Sequence, residues 1–323
     1  MDSFTEPITY AVKHKDETIR AASRSGGVFT ALSDNVLDSG GVVYGSVLTD
    51  NFIAAHIRAE DKTERDKMRG SKYIESKLNT IFPLIKKDVL SGRLVLFTGT
   101  SCQVAGLKAF LEKSYENLLL VDILCHGVPS PKVWRQYLDW QESKHGKCTA
   151  VDFRNKKDYG WSSHIETMMF LQNGKTQQVD SDIFTTIFYK HLALRPSCYE
   201  CKYKTIMHPG DITIADYWEI DRALPGFNDN KGVSLVMVNN DHGMDYFNRV
   251  KSHLICEKTR YSDSTRPSMY NPANRPNDRD KFWNDFSQRD FEYIANKYGK
   301  KSFSSRLKKN VKKFISASKV RGM

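Results

Sequence analysis

The sequence predicts an α/β fold that becomes mixed α+β in its C-terminal half, with a sheet flanked by helices. Three observations support this prediction. With 323 residues, 40% of them hydrophobic, the chain can bury a substantial core. Apolar runs alternate with segments of helical periodicity as far as residue 127, and strand-like segments dominate beyond residue 151. Alternating strands and helices favour parallel pairing, which places ligand sites at the carboxyl ends of the strands.

The first predicted elements are a strand, a helix and a second strand. Residues 8–14 (ITYAVKH) and 40–48 (GGVVYGSVL) are rich in β-branched residues, which favours strands. Between them, apolar residues recur at helical spacing from Val28 to Leu37. The glycines at positions 40 and 41 predict the end of this helix.

The same alternation continues toward the middle of the chain. A helix is predicted over Ser76–Leu90, a strand over residues 94–100, a helix over Cys102–Leu111 and a strand over residues 118–127. Cys102 and Cys125 each come directly after an apolar run. We therefore expect both thiols at the same edge of one sheet.

The C-terminal half is predicted to be richer in strands. The strand-like segments are residues 150–155, 164–174, 211–218 and 234–240. A helix is predicted over residues 241–254. The stretch from Tyr261 to about Arg279 is polar and rich in proline and asparagine, which predicts an irregular segment.

The chain divides into an α/β part (residues 1–150), a strand-rich part (residues 151–298) and a basic tail (residues 299–323). The formal net charge is +11, but residues 300–323 contain nine lysines or arginines and no acidic residue. The rest of the chain has 40 basic and 38 acidic residues. Such a nearly neutral body does not indicate a nucleic-acid-binding domain.

The basic tail has the pattern of an amphipathic helix. Apolar residues recur at helical spacing among its lysines and arginines: Phe303, Leu307, Val311, Phe314 and Ile315. A basic amphipathic helix can lie on the inner face of an anionic membrane or dock on an acidic partner. A solvated, frayed C-terminus has the same composition, so both interpretations stay open.

The sequence contains no pattern for membrane insertion or secretion. It has no run of about 18 apolar residues, and its N-terminus lacks a basic segment followed by an apolar one. We therefore expect a cytoplasmic protein. In that reducing compartment clustered cysteines more often bind metal than form disulfides.

The sharpest local motif is the Cys198-Tyr-Glu-Cys201 pair. Two thiolates at this spacing can share one metal centre, which then needs two further ligands. Cys102 and Cys125 are the candidates because both follow strands, whereas the other two cysteines lie in polar segments and are predicted to be incidental. The spacing leaves zinc, an iron–sulfur cluster and a redox dithiol open, and a cysteine at the end of a buried strand is often a core residue.

Two further segments have the composition of a nucleotide site. Ser23-Arg-Ser-Gly-Gly27 opens a predicted helix, where exposed amides and the helix dipole favour a phosphate. An ordinary serine N-cap with a glycine for tight packing would have the same sequence. Arg69-Gly-Ser-Lys-Tyr73 combines a turn glycine, two cations, a hydroxyl and an aromatic ring, which suits a dinucleotide but also occurs on plain surfaces.

The predicted strand ends carry small and polar residues. Thr98–Gln103 is a small-residue turn of the kind that lets a ring system lie against the backbone. Residues 125–131 contain a helix start with a serine cap and a proline. Within them, His126 can tune a cluster, move a proton or serve structure alone. Asp211 and Asp216 are not predicted to share a face, so we do not interpret them as an acid/base pair.

Taken together and in order, these segments resemble the coenzyme F420 hydrogenase/dehydrogenase beta-subunit family. The matching segments are SRSGGVFTAL, GGVVYGSVL, MRGSKYIES, VLFTGTSCQVAGLKAFL, LLLVDILCHGVPSPKVW, LRPSCYECKY, GDITIADYW and NDNKGVSLVMVN. They span about residues 8–295. The resemblance implies an oxidoreductase that depends on FAD and one 4Fe–4S cluster. It also implies electron transfer between a reduced carrier and an acceptor, with a link to surface-polysaccharide synthesis in bacterial relatives.

The resemblance assigns two groups of residues to a cofactor site at the strand ends. The implied cluster ligands are Cys102, Cys125, Cys198 and Cys201. The implied flavin-binding residues are Ser25, Gly26, Gly27, Ser71, Lys72, Tyr73, Thr98, Gly99 and Thr100. Residues 1–150 would then hold the flavin, and residues 151–298 would complete the cluster site. The catalytic candidates are Lys72, which would favour an anionic reduced flavin, and His126.

The sequence departs from the family pattern in three places. It lacks the ferredoxin-like segment with CxxCxxC…CP spacing, so we expect a ferredoxin or similar electron donor in trans. Residues 99–102 are GTSC, where the family more usually has GTPC. Residues 218–220 are Trp-Glu-Ile in place of a Trp-Gly turn, so the conformational freedom of a glycine is missing there. Two other functions stay open: an electron-transfer subunit without a substrate of its own, and a zinc-stabilised scaffold that binds nucleotide-sugars.

Overall fold

The structure of the chain is a computed structural model that describes residues 3–300. Most of the basic tail, from residue 301 onward, lies outside the described residues, and so does its predicted amphipathic helix. Within residues 3–300, no helix is both long enough and apolar enough to cross a lipid bilayer.

The strands of the described residues form one eight-stranded and one three-stranded sheet. They are β1 (Ile8–His14), β2 (Val42–Leu48), β3 (Ala54–Ala59), β4 (Val95–Thr100), β5 (Leu118–Ile123), β6 (Lys147–Asp152), β7 (Glu166–Gln172), β8 (Lys175–Ser181), β9 (Ile212–Asp216), β10 (Ser234–Val238) and β11 (Leu254–Thr259).

Helices of very different length connect these strands. They are α1 (Glu17–Ala22), α2 (Val28–Asp38), α3 (Lys62–Asp66), α4 (Ile81–Leu90), α5 (Ser101–Leu111), α6 (Pro131–His145), α7 (Lys156–Tyr159), α8 (Ile183–Tyr189), α9 (Ile220–Ala223), α10 (Asp241–Val250), α11 (Tyr261–Ser264), α12 (Pro267–Tyr270), α13 (Arg279–Gln288) and α14 (Phe291–Tyr298). Short 3₁₀ turns lie at Pro196–Cys198 and Lys251–His253.

The large sheet has the strand order β11-β1-β10-β9-β5-β4-β2-β3. The four strands β9, β5, β4 and β2 pair in parallel, whereas all other pairs are antiparallel. The predicted α/β class is therefore confirmed, and parallel pairing holds in the centre but is wrong at both edges. At one edge the short loop between β2 and β3 forces an antiparallel pair, because a parallel pair needs a long crossover.

Both faces of the parallel centre are covered by helices. Along β4, Leu96 packs with α2 and α10, while its neighbours Val95 and Phe97 pack with α4 and α5. This alternation follows from the two-residue period of a strand. Because both faces are buried, the strand sequences are continuous apolar runs rather than alternating ones, and this is why the sequence identified them.

The small sheet is an antiparallel meander of β6, β7 and β8. It packs with α6, α8, α13 and α14 around an aromatic core: Trp134, Tyr137, Phe153, Phe170, Phe184, Phe282, Phe286 and Phe291. The predicted start of α6 is confirmed, since Ser130 accepts a hydrogen bond from the Lys132 amide (3.3 Å) and Pro131 is the first helical residue. The large sheet takes strands from both sides of residue 150, where the boundary stays a prediction.

Some predicted boundaries are wrong for identifiable reasons. The helix expected over Ser76–Leu90 begins at Ile81, because Lys77 exchanges backbone hydrogen bonds with β3. The strand expected over residues 118–127 ends at Ile123, and two short helices interrupt the segment predicted to be irregular from Tyr261 onward. The strands β3, β8 and β11 were not predicted, since their sequences are short or largely polar. The end of α2 at the two glycines is as predicted.

Candidate functional site

A cavity of about 870 Å³ opens over the carboxyl ends of β4 and β5. Its walls come from the start of α2, residues 68–76, the segments after β4 and β5, the end of β9 and single residues of the C-terminal half. Cofactor and ligand sites usually measure roughly 300–1,000 Å³, so this cavity is large enough for a dinucleotide-sized molecule. Its position at the edge of the parallel strands follows the rule for open α/β sheets.

Most of the residues implied by the family resemblance line this cavity. They are Ser25, Gly27, Ser71, Lys72, Tyr73, Thr98, Gly99, Thr100, Cys102, Cys125 and His126. Three implied residues, Gly26, Cys198 and Cys201, are not part of its lining.

Glycine is required for different reasons at the two positions before α2. A Cβ atom on Gly26 would lie 2.0 Å from the carbonyl oxygen of Val12, so this glycine permits close packing against β1. Gly27 is the N-cap of α2 with a φ of 93°, and no described side chain caps this terminus. Gly27 and Val28 line the cavity, so this uncapped helix start lies at its wall.

The cavity lining carries an excess of positive charge. Among the described lining residues, three are acidic (Glu75, Asp216 and Glu219) and seven are basic: Arg24, Arg69, Lys72, Arg154, Arg195, Lys204 and Arg266. Arg24 has a buried Nε atom without a hydrogen-bond partner within residues 3–300. Burial and the neighbouring Arg154 lower the pKa of Arg24. An anionic group would satisfy this arrangement.

A network of buried polar and aromatic groups forms one wall of the cavity. Arg154 donates to Asp216 Oδ2 (2.5 Å) and to the Tyr73 hydroxyl (3.3 Å), and its guanidinium lies 4.9 Å from the ring centroid of Trp218. Trp161 donates to Asp216 Oδ1 (2.8 Å) and stacks on Trp218 at 5.0 Å. No sequence motif marked Arg154 and Trp161, since their partners are distant in the chain.

The aspartates just before β9 and at its end lie in different surroundings. Asp216 belongs to the cavity wall, whereas Asp211 is buried and accepts from the Leu120 amide and from Asn240 Nδ2, both at 2.8 Å. The prediction that they do not form an acid/base pair agrees with this separation.

Lys72 lines the cavity but its ammonium group is already engaged. Nζ donates to the carbonyl oxygens of Lys67, Met68 and Arg69 at 2.9–3.1 Å, just beyond the end of α3. Burial lowers the pKa of Lys72 to about 7. In its protonated form Lys72 has three donors, and the three carbonyl oxygens occupy them, so this form can act on a ligand through its charge but not through a further hydrogen bond.

His56 is a cavity residue that sequence reasoning missed. Its Nε2 contacts the Thr98 carbonyl oxygen (3.0 Å), and its Nδ1 contacts Ser76 Oγ (2.8 Å). A carbonyl only accepts, so Nε2 carries the proton and Nδ1 accepts from Ser76. Burial lowers the pKa of His56 to about 4, which keeps it neutral. His56 thus fixes the end of β4 beneath the cavity floor.

The four implied cluster ligands are electrostatic neighbours. Burial raises the pKa of Cys125 to about 12, Lys204 opposes this, and the thiols of Cys102 and Cys198 raise it further. Burial also raises the pKa of Cys198, as do the nearby thiols of Cys201 and Cys102. The four thiols therefore lie within electrostatic range of one another.

These thiols are not arranged as the ligands of a metal ion. Within residues 3–300, no three His, Cys, Asp or Glu side chains are grouped closely enough to hold a metal ion. Cys102 Sγ lies 3.1 Å from Thr100 Oγ1, and Cys198 Sγ accepts from the Val128 amide at 3.4 Å. The Thr100 hydroxyl donates to Gln103 Oε1 (3.2 Å), so the backbone donor to a thiol here is the Val128 amide, and such a donor stabilises a thiolate ligand.

The other two cysteines lie away from the cavity, whereas His126 lines it next to Cys125. Cys148 is buried in the aromatic core and Cys256 packs against the core of the large sheet, so neither lines the cavity. His126 Nε2 lies 2.8 Å from Nε2 of His191. Burial and then His191 lower the pKa of His126 to about 4.

Comparisons with known proteins identify relatives of this chain. Residues 92–264 match a family described as the C-terminal region of the coenzyme F420 hydrogenase/dehydrogenase beta subunit. A chain of the F420-reducing NiFe hydrogenase complex from Methanosarcina barkeri is similar in structure, with a TM-score of 0.52 and 16% sequence identity. The similarity covers 80% of this chain and 85% of that one, and at this identity it supports the fold alone. No curated protein sequence matches the chain.

Proposed function

The chain belongs to the coenzyme F420 hydrogenase/dehydrogenase beta-subunit family, and we propose that it is an oxidoreductase that binds FAD and one 4Fe–4S cluster. The observation that carries this proposal is the electropositive cavity at the strand ends, whose lining includes two of the four thiols, Cys102 and Cys125. Bound flavin and cluster would supply two-electron and one-electron transfer, respectively.

The residues around α2 fit the diphosphate of a dinucleotide. Uncapped amides at a helix start and the helix dipole attract an anion, and Gly27 supplies the left-handed backbone conformation that precedes this helix. Arg24 would complete the site, because its buried Nε has a donor to offer. Ser25 and Ser71 line the same cavity and add hydroxyl groups.

The residues at the end of β4 fit a flat ring. Thr98, Gly99 and Thr100 line the cavity, and the neutral His56 holds the Thr98 carbonyl in place. Tyr73 lies between Arg154 and the ring of Phe188, so its orientation is restrained from two sides. Lys72 would contribute positive charge to this region, favouring an anionic reduced ring.

The chemistry of the four thiols and their mutual electrostatic influence support the proposed cluster. Cys102, Cys125, Cys198 and Cys201 would hold it, and thiolates are the usual ligands of iron–sulfur clusters. Burial raises the pKa of Cys125 to about 12 and Lys204 only partly opposes this, so a bound metal centre would have to supply the charge that stabilises its thiolate. The Val128 amide, which donates to Cys198 Sγ, is a hydrogen bond of the kind found around such centres.

A ferredoxin or similar protein in trans is the electron donor we propose, and surface-polysaccharide synthesis is the proposed context. A second candidate function is an electron-transfer subunit without a substrate of its own. This candidate takes its context from the structural neighbour, which is described as part of a hydrogenase complex. A third is a zinc-stabilised scaffold that binds nucleotide-sugars, for which the CxxC pair would suffice in combination with two other ligands.

Anaerobic purification followed by a visible spectrum and by iron, sulfide and flavin analysis tests the proposal. We expect bound flavin and about four iron and four sulfide ions per chain. Cys198→Ser and Cys201→Ser should lose the iron, whereas Cys148→Ser should keep it, since that residue lies in a core away from the cavity. Full iron in the first two variants would refute the ligand assignment, and a colourless protein with one zinc would refute the redox proposal.

Titration of the flavin-free protein with FAD tests the diphosphate site separately. Arg24→Met should weaken FAD binding by about tenfold, because it removes a charged donor. Arg93→Met is the matched control: Arg93 pairs with Glu60 on the surface and does not line the cavity. Equal FAD affinity in both variants would exclude Arg24 from the site.

A further inference from the structure

Asp122 is a fully buried carboxylate near the end of β5. Its Oδ2 accepts from Ser101 Oγ (2.6 Å) and contacts His208 Nδ1 (3.1 Å), and its Oδ1 accepts from Thr213 Oγ1 (2.6 Å). A carboxylate in such surroundings is stable only when several hydrogen bonds replace its water. The partners of Asp122 therefore cannot move away independently without a large cost.

These partners belong to the chain segments that carry the four thiols. Ser101 precedes Cys102 in the first turn of α5, and Asp122 itself lies three residues before Cys125. His208 lies in the loop that leads from Cys201 to β9. Three segments far apart in sequence thus meet at one carboxylate.

A glycine makes this meeting possible. A Cβ atom on Gly210 would lie 2.7 Å from Asp122 Oδ1 and 2.9 Å from the Asp122 amide nitrogen. The backbone after the CxxC loop therefore passes directly over Asp122. Asn239 holds it there from the other side, donating to the Gly210 carbonyl (2.8 Å) and to Thr213 Oγ1 (2.9 Å).

We propose that Asp122 is a positioning residue that ties the segments of Cys102, Cys125 and the CxxC pair into one site. It touches none of the thiols, and it acts through Ser101 and His208. The inference concerns the approach of the thiols in the metal-free protein, so it holds whether or not the proposed cluster is the ligand. Only its consequence for iron content rests on the proposed function.

Cross-linking of the reduced, metal-free protein with dibromobimane, followed by peptide mapping, tests the tie. This reagent joins two thiols that lie close together. The link within the CxxC pair is an internal reference, since it needs no other segment. In Asp122→Asn, links from Cys102 or Cys125 to the CxxC pair should fall by about tenfold relative to that reference, as expected for a lost charged hydrogen bond.

Asp88→Asn is the matched control. Asp88 is also a largely buried carboxylate that accepts several hydrogen bonds, but its donors are Tyr44 in β2 and Arg58 in β3, and neither strand carries a thiol. A general loss of stability would lower the cross-link ratio in both variants. An unchanged ratio in Asp122→Asn, or an equal fall in both, would overturn the proposal.

Ser101→Ala keeps the test available if Asp122→Asn fails to fold. It removes one tie and should reduce the links to Cys102 while those between Cys125 and the CxxC pair persist. A uniform loss of all links, or no change, would contradict the tie. Iron content after anaerobic reconstitution is measured in parallel: a wild-type protein without iron would refute the proposed cluster but leave the cross-link result valid.

Discussion

Glu166 at the start of β7 places a carboxyl group in the aromatic core of the small sheet, where 1% of its surface is exposed. Its Oε1 accepts from the Tyr137 hydroxyl and from the Phe184 amide (3.3 Å), and its Oε2 accepts from Thr185 Oγ1 (3.0 Å). Burial raises the pKa of Glu166 from 4.5 to about 7 in spite of these donors. The folded protein therefore retains a proton at pH values where the unfolded chain has lost it.

The sign of the stability effect follows from this difference. Below pH 4.5 both states are protonated and the contribution of Glu166 is fully present. Between pH 4.5 and pH 7 the unfolded chain releases the proton while the folded protein keeps it, so this contribution to the free energy of unfolding falls and is lost once the pH has risen through 7. At 1.36 kcal/mol per pH unit the loss is about 3 kcal/mol in all, of which about 2.5 kcal/mol falls between pH 5 and pH 8.

Glu166→Gln should abolish this loss, since glutamine imitates the protonated acid. Its Oε1 can accept from Tyr137 and Phe184, and its Nε2 can donate to Thr185. We expect the free energy of unfolding of the variant, relative to wild type, to rise by about 2.5 kcal/mol between pH 5 and pH 8. Urea unfolding followed by tryptophan fluorescence at both pH values measures it. A difference that does not change with pH would refute the reasoning.

Three further predictions concern stability. Gly26→Ala should destabilise the fold by roughly 2–3 kcal/mol, because its Cβ would meet a backbone carbonyl of β1. Gly70→Ala should cost roughly 1 kcal/mol, because Gly70 has a φ of 81° but open space around it. Equal losses of the free energy of unfolding in the two variants, measured by urea unfolding, would contradict this. Asp285→Asn should destabilise the folded protein at neutral pH, and its stability should approach that of wild type as the pH falls below about 4. The reason is that hydrogen bonds from Lys297 and Tyr298 lower the pKa of Asp285 from 3.8. Thermal unfolding across pH measures this, and a stability difference between variant and wild type that grows in acid would contradict it. Trp134→Ala should cost roughly 3–5 kcal/mol, since it leaves a cavity in the aromatic core and frees the Phe52 carbonyl; a change below 1 kcal/mol in urea unfolding would show that the core collapses around it.

The central strands and helices were predictable because their signals are local. The apolar runs of β4 and β5 and the periodicity of α2 depend on residues within one element, and the glycines that end α2 act on their own backbone. The edge strands were not predictable in the same way. β11 is largely polar on one side, so its pairing with β1 depends on residues about 245 positions earlier in the chain.

The candidate site was predictable in part for the same reason. Motifs at strand ends identified Ser25, Gly27, Thr98 and Cys102, which line the cavity. Gly26 belongs to the same motif, yet its neighbours in β1 and β10 make it a packing residue. His56 has no motif around it, and only the fold brings it beneath Thr98.

By itself the sequence determined the α/β class, the main apolar strands and helices, and the thiols and glycines at their ends. It could do so because backbone hydrogen bonding and burial impose periods that are readable within ten or fifteen residues. Only the tertiary structure decided which side chains meet in the cavity. Arg154 reaches Tyr73 across 81 residues of sequence and Asp216 across 62. Contacts of this kind depend on how separate elements pack, and no local pattern specifies them.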